Sequence, residues 1–207
     1  MNLRLGWKSK KALGRNVGVT LLEVLVSLLV LSFGLLGVAG LQAVTASYKV
    51  NSWARNSAAL LLSDFAERVR SNPEAAKKEA GVSLYEFKTA WSSQGDVPSL
   101  GSDKNCLESS CNSTQRAAYD LWAWRTRVSR EMPQGSVWVD GNRDDGFKVT
   151  LMWMDKGFTG AGDDKATLQS STTCSANLSS SVEQASCCPS DAKVAIGVRC
   201  QNFFFIP

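Results

Sequence analysis

Histidine is missing from all 207 residues. Its absence excludes Ser/His/Asp and Cys/His nucleophilic catalysis and every metal site built on imidazole. Acid is missing from the first 22 residues, which carry five bases, Arg4, Lys8, Lys10, Lys11 and Arg15. Those five account for the positive balance. The formal net charge is +4, yet beyond Gly18 the remaining 18 basic residues face 19 acidic ones, a net of −1. That near-neutral remainder holds no dense Lys/Arg cluster, which argues against electrostatic nucleic-acid binding, and the pair Lys77-Lys78 reads as a solvated helix face. With 44% hydrophobic and 20% charged residues, the composition is that of a globular chain and not of a disordered one.

Charge then vanishes from Val24 to Leu41. This run is near the lower limit for crossing a bilayer at 1.5 Å per residue. The basic segment before it and the lack of another base until Lys49 place the N-terminus in the cytoplasm, with everything past about residue 45 exported. Six cysteines agree with export, because disulfides persist outside the cytoplasm.

Glu23 interrupts this picture at the head of the apolar run. A carboxylate carried to the bilayer centre costs roughly 2.5 to 3.5 kcal/mol, so an acid there is read first as functional. The plainer reading is that Glu23 snorkels to the headgroups at the membrane edge. Three processing readings are open: a secretory signal cleaved after Ala46 in Val44-Thr45-Ala46, a permanent anchor, or a segment both processed and retained. An unusually long core and the acid speak against the first, and a plain anchor leaves Glu23 without a purpose.

Gly18-Val19-Thr20-Leu21-Leu22-Glu23, with a basic leader before it and an apolar helix after it, resembles the class III signal of type IV pilins and pseudopilins. The resemblance implies cleavage between Gly18 and Val19 by a prepilin peptidase, and methylation of the new N-terminus at Val19, where the family commonly has Phe. It also gives Glu23 a role: as the fifth residue of the processed chain it pairs with the N-terminal amine of a neighbouring subunit during assembly. Burial penalises an isolated charge, and an opposite charge nearby offsets much of that penalty, so only a correctly staggered neighbour relieves it. Gly34, Gly37 and Gly40 within Gly-Leu-Leu-Gly-Val-Ala-Gly, the following Leu41-Gln42-Ala43, and Asp64-Phe65-Ala66-Glu67-Arg68-Val69-Arg70-Ser71-Asn72-Pro73 resemble the PilV-type minor pilins. That likeness covers roughly residues 14–73. It implies a minor pilin of a type IV pilus, without catalytic activity or cofactor. Such a subunit primes pilus assembly at or near the tip and supports adhesion and twitching motility. Its partners are the prepilin peptidase, other minor pilins, the major pilin and, before assembly, the inner membrane. Nucleic acid is not expected among them. The chain would sit as a single-pass inner-membrane protein with a periplasmic head, then in the extracellular pilus. A minor pseudopilin of a type II secretion system shares the same signal and helix and is the alternative.

The expected fold is α+β and pilin-like, a long N-terminal helix packed on a small antiparallel sheet with disulfides. Its divisions are a leader (1–18), a membrane and filament-core half of the helix (19–41), an amphipathic half (42–73) and a globular head (74–207). The helix would run from about Val19 to Ser71, roughly 80 Å. In its second half Val50, Ala54, Ala58, Leu61, Phe65 and Val69 recur at three- and four-residue steps on one stripe. Pro73 supplies the stop. Ser83-Leu84-Tyr85-Glu86 has the form of a capping box with Leu84, Phe87 and Trp91 at helical spacing behind it, so a short helix is expected. Residues 92–112 read as loop. A further helix is expected over 115–132, with Leu121, Trp124, Val128 and Met132 on one face and Pro133 at its end. Trp122 and Trp124 are read as packing groups.

Ser136–Asp140 and Phe147–Met154 bracket Gly141-Asn142-Arg143-Asp144-Asp145-Gly146 and predict an antiparallel hairpin, with Phe147, Val149, Leu151 and Trp153 on one face. A third strand falls within 192–206, where Val194, Ile196 and Val198 alternate. Asp140, Asn142 and Asp144 have the spacing that starts a calcium loop. The glycine comes one residue late, however, and Leu151 stands where a bidentate Glu is required, so a turn is expected. The cysteines Cys106, Cys111, Cys174, Cys187, Cys188 and Cys200 allow 15 pairings. Cys106 and Cys111 are spaced to close a small loop, and adjacent Cys187 and Cys188 would strain if joined. The expectation is 106 with 111, and Cys174 and Cys200 shared between 187 and 188, which would pin a Gly- and Ser-rich excursion over 157–191. Zinc held by thiolates is the alternative.

Overall fold

The computed structural model describes residues 18, 20–77, 82–95, 99–100, 104–159 and 167–207. The chain forms two compact units, residues 1–46 and 47–207, described separately below.

Helix α1 (Leu21–Ser71) begins in the first unit and continues into the second. Its start is fixed by Thr20, whose Oγ1 accepts the Glu23 backbone N–H at 3.3 Å while its carbonyl accepts that of Val24 at 3.2 Å. The first of these satisfies one of the N–H groups a helix start leaves open, and the second is the first intrahelical bond. From Leu21 to Gln42 the helix has a mean hydropathy of 2.5, and among the described residues it is the one stretch long and apolar enough to cross a membrane. The side chains of this stretch are exposed throughout. Its serines hide their polarity locally: Ser27 Oγ donates to the Glu23 carbonyl at 2.7 Å and Ser32 Oγ to that of Leu29 at 2.8 Å. With no water in a hydrocarbon core, such groups must be satisfied within the segment.

In the second unit the later turns of α1 bury Ala54, Ala58, Leu61, Phe65 and Val69, the stripe that the spacing predicts. The side chain of Val50 lies outside the described set. Helix α1 ends at Ser71, and Pro73 opens a four-residue helix, α2 (Pro73–Ala76), at a position where its missing N–H costs nothing. Helix α3 (Ser113–Glu131) starts two residues earlier than expected. Asn112 and Gln115 form the capping box, Asn112 Oδ1 accepting the Gln115 N–H at 2.9 Å and Gln115 Oε1 the Asn112 N–H at 3.1 Å. Trp124, Val128 and Met132 are buried, and Met132 is already extended ahead of Pro133.

Strands β1 (Ser136–Asn142), β2 (Gly146–Met154) and β3 (Val198–Phe205) form one antiparallel sheet in the order β1-β2-β3. Val139 faces Val149 across the first pair and Leu151 faces Gln201 across the second. In the hairpin turn Asn142 Oδ1 accepts the N–H groups of Asp144 and Asp145 at 2.8 and 3.0 Å. Gly146 has φ +87°, a conformation that favours glycine, and the exposed Phe204 ring lies over the position a Cβ would take.

The sheet is covered on both faces. On one, α1 and α3 pack against Val137, Val139, Phe147, Val149, Leu151 and Trp153, with Phe65 central. The Phe65 ring stacks on Trp124 at 4.3 Å between centroids and meets Tyr85, Phe147 and Phe205 edge-on at 6.0 to 6.3 Å. On the other, Trp138, Met152 and Val198 are buried with Cys188, Cys200 and Ala192. Three disulfides join Cys106 to Cys111, Cys174 to Cys187 and Cys188 to Cys200. The architecture is therefore α+β, with an apolar N-terminal helix, a small antiparallel sheet and three disulfides.

Two expectations are corrected. No helix forms over residues 83–91. Ser83 Oγ accepts the Tyr85 N–H at 3.2 Å and the Ser83 carbonyl that of Glu86 at 3.0 Å, which makes a turn. Phe87 then bridges to Val139 of β1 through two backbone bonds of 2.8 and 2.9 Å, so sheet pairing overrides the local signal. The third strand is also shorter at its start. Ser190–Ala192 is a 3-10 turn, Lys193 and Gly197 take positive φ, and Ile196 is exposed, so the chain turns there and extends only from Val198.

Candidate assembly site and its support

The residues singled out at the N-terminus occupy the first turn of α1. Glu23 is its third residue, where the unsatisfied N–H groups give the helix end partial positive character that favours an acid. Thr20 and Glu23 have the capping-box spacing, but only the threonine half is made: the Glu23 carboxylate has no hydrogen bond or ion pair among the described residues. It is the one ionisable group from Leu21 to Gln42. Gly18 is exposed, with no heavy atom of the described residues within 4 Å of where a Cβ would stand. Val19 and the basic leader up to residue 17 lie outside the described residues.

In the second unit, the Asp64–Pro73 stretch makes a polar clamp onto α3. Asp64, Arg68 and Asn72 stand four residues apart and so share a face of α1 until its end. Arg68 donates from Nε to Asp64 at 3.1 Å and from Nη1 to Asp120 at 3.3 Å. Asp64 also takes Arg127 Nη1 at 3.3 Å. Asn72 Nδ2 donates to the Ser113 carbonyl at 2.8 Å, and Ser113 Oγ returns a bond to Asn72 Oδ1 at 2.7 Å. Buried Tyr85 completes the set, its hydroxyl donating to Asp120 Oδ2 at 2.9 Å, with the Arg68 carbonyl 3.3 Å from the same oxygen.

Burial raises the Asp120 carboxyl above the usual range, against the lowering effect of the Tyr85 hydrogen bond and of Arg68. Burial, then the Asp120 charge, pushes the Tyr85 phenol well above the ordinary tyrosine value. A phenol with a raised folded pKa contributes stability that is complete below its unfolded pKa of about 10 and is lost as pH climbs toward the folded value. Thermal melts from pH 7 to 11 are expected to show the second unit weakening above about pH 10. Tyr85→Phe should flatten that decline while costing about 1 to 3 kcal/mol at pH 7, because Asp120 loses a buried donor. Lys88, raised by its bonds to Asp140 and Glu86, titrates in the same direction but is a partly exposed surface group, so its share is small. An unchanged alkaline limb in Tyr85→Phe would remove the phenol from this account.

The clamp was not foreseen from the sequence, although Asp120 stands on the buried stripe Ala117, Asp120, Trp124, Val128 and needs a partner there. The Thr20 cap was missed as well; its signal was the Thr-x-x-Glu spacing.

Residues 40–122 match the sequence model of the family described as Tt1218-like, type IV pilin Tt1218. The matched range holds the second half of α1, Tyr85, Ser113 and Asp120, and so most of the clamp; Thr20 and Glu23 precede it. No curated protein and no solved structure matches the chain. The apolar helix, the α+β unit with disulfides and the family match together support a pilin-like structural subunit.

Proposed function

We propose that the chain is a minor pilin of a type IV pilus, most like the PilV-type subunits, that primes assembly and takes a place at or near the tip, in support of adhesion and twitching motility. The observation that carries this reading is the unpartnered Glu23 carboxylate in the first turn of an exposed apolar helix. Cleavage after Gly18 by a prepilin peptidase frees the amine of Val19 one helical turn from Glu23. That amine, methylated or not, is the natural counter-charge for the same acid on a neighbouring subunit in a place where unpaired charge is costly. Before assembly the Leu21–Gln42 stretch holds the chain in the inner membrane, with the cysteine-bearing unit on the periplasmic side.

Gly18→Val tests the first step. Among the described residues the added side chain meets nothing within 4 Å of its Cβ, so the expected effect falls on peptidase recognition. The variant is expected to keep its leader and run as a larger membrane-bound form, read by intact mass. A mature N-terminus at residue 19 in this variant would reject the signal assignment, and one at Ser47 in the unaltered chain would replace it with ordinary secretion.

A further inference from the structure

Past the apolar stretch, the charges of α1 are of one sign. From Val24 to Ser63 the chain has no acid, and its two bases, Lys49 and Arg55, both fall in the opening turns of the second unit. Both are exposed, and among the described residues neither has a hydrogen bond or an ion pair. Trp53, between them, is 50% exposed and has no polar partner among the described residues either. It stands four residues after Lys49 and so shares a face with it, turned away from the buried stripe of Ala54, Ala58 and Leu61.

Length decides what these side chains meet. From Glu23 to Lys49 the helix makes 26 steps of 1.5 Å, about 39 Å. A bilayer with its headgroups is about 40 to 45 Å thick. With Glu23 at the cytoplasmic edge, Lys49 therefore reaches the opposite headgroup layer, and Trp53 and Arg55 follow about 6 and 9 Å farther along, at its outer limit. Side chains on a helix lean toward its N-terminus, so all three reach back toward the lipid.

Tryptophan is enriched at headgroup level, where its ring meets the acyl boundary and its N–H meets water and phosphate, and bases there are drawn to anionic lipid. A second copy of the chain is a poor occupant, because its own segment carries the same two positive charges and no acid. We propose that Lys49, Trp53 and Arg55 form a headgroup anchor that binds anionic phospholipid on the exported side of the membrane and fixes the depth of α1 before assembly. The anchor presupposes the membrane-held state of the proposed function, and the test separates the two.

The full chain is reconstituted in vesicles containing brominated phosphatidylcholine or brominated phosphatidylglycerol, and the emission of a Trp53→Phe variant is subtracted to isolate Trp53. Resistance to carbonate extraction reports insertion independently. Inserted chain should show Trp53 quenched by both lipids, with about fivefold or greater preference for the anionic one. Lys49→Gln combined with Arg55→Gln should abolish that preference and leave the melting temperature unchanged, because both side chains are exposed. The anchor is overturned, with the membrane span still standing, if inserted chain leaves Trp53 unquenched, quenches it equally with the two lipids, or keeps its preference after both Gln substitutions. So too if quenching disappears as the ratio of protein to lipid rises, which would put a second copy on this face. Extraction by carbonate rejects the membrane-held state, and the anchor with it.

Discussion

A chain carrying Glu23→Leu is expected to enter the membrane and lose its leader normally, yet to be depleted from sheared filaments by roughly a hundredfold or more. Insertion should not suffer, because the substitution removes the one ionisable group between Leu21 and Gln42. The helix start should not suffer either. Thr20 Oγ1 accepts the backbone N–H of residue 23, which leucine retains. What is lost is the carboxylate meant for a neighbour's ammonium. Breaking a buried pair by removing one partner costs about 3 to 5 kcal/mol, roughly two to three and a half powers of ten in an assembly equilibrium. Glu23→Gln keeps the shape and hydrogen-bonding capacity without the charge, and should fail nearly as badly if charge is what matters. The measurement is the ratio of variant to major subunit in filaments, set against the processed amount in the membrane. Wild-type incorporation of either variant would reject the pairing role.

Phe65→Ala is the largest stability change expected in the second unit, a loss of about 3 to 5 kcal/mol. Phe65 is fully buried and touches four aromatic rings contributed by α3, both later strands and the Tyr85 turn. Truncation opens a cavity where all these elements meet, and neighbours already locked by Trp124 Nε1 to the Leu61 carbonyl (2.8 Å) and Tyr85 to Asp120 have little freedom to collapse into it. Chemical denaturation should show the midpoint falling with the slope retained. Leu60→Ala, one residue into the series that faces solvent, should change stability by no more than about 0.5 kcal/mol. Equal effects of the two would mean that the stripe has been assigned to the wrong face.

The stripe itself was readable because helical period and burial coincide over Ala54 to Val69, five positions with no competing signal. The β1–β2 hairpin was readable for the same reason at period two. The two Ser/Thr-x-x-Glu segments show where such reading stops. Thr20 to Glu23 starts a helix because the residues after it pair with one another along the chain. Ser83 to Glu86 has the same letters, but Phe87 finds a backbone partner 52 positions away in Val139, a choice invisible in any local window. The clamp has the same character. Asp64, Arg68 and Asn72 stand at regular steps in the sequence, while their partners Asp120, Arg127, Ser113 and Tyr85 belong to elements whose docking angle no periodicity encodes.

Cys187 and Cys188 are neighbours with different destinations, one bound to Cys174 and the other to Cys200 on β3, among Trp138, Met152, Ala192 and Val198. An oxidant that closes these bonds too early meets two thiols one residue apart with nothing to tell them apart. In the native register β3 sets Cys200 opposite Met152, and Cys188 is the thiol of the two joined to it. Strand register and disulfide choice are therefore linked in the finished fold: the pairing that sets Cys200 opposite Met152 is the one in which Cys188 reaches it.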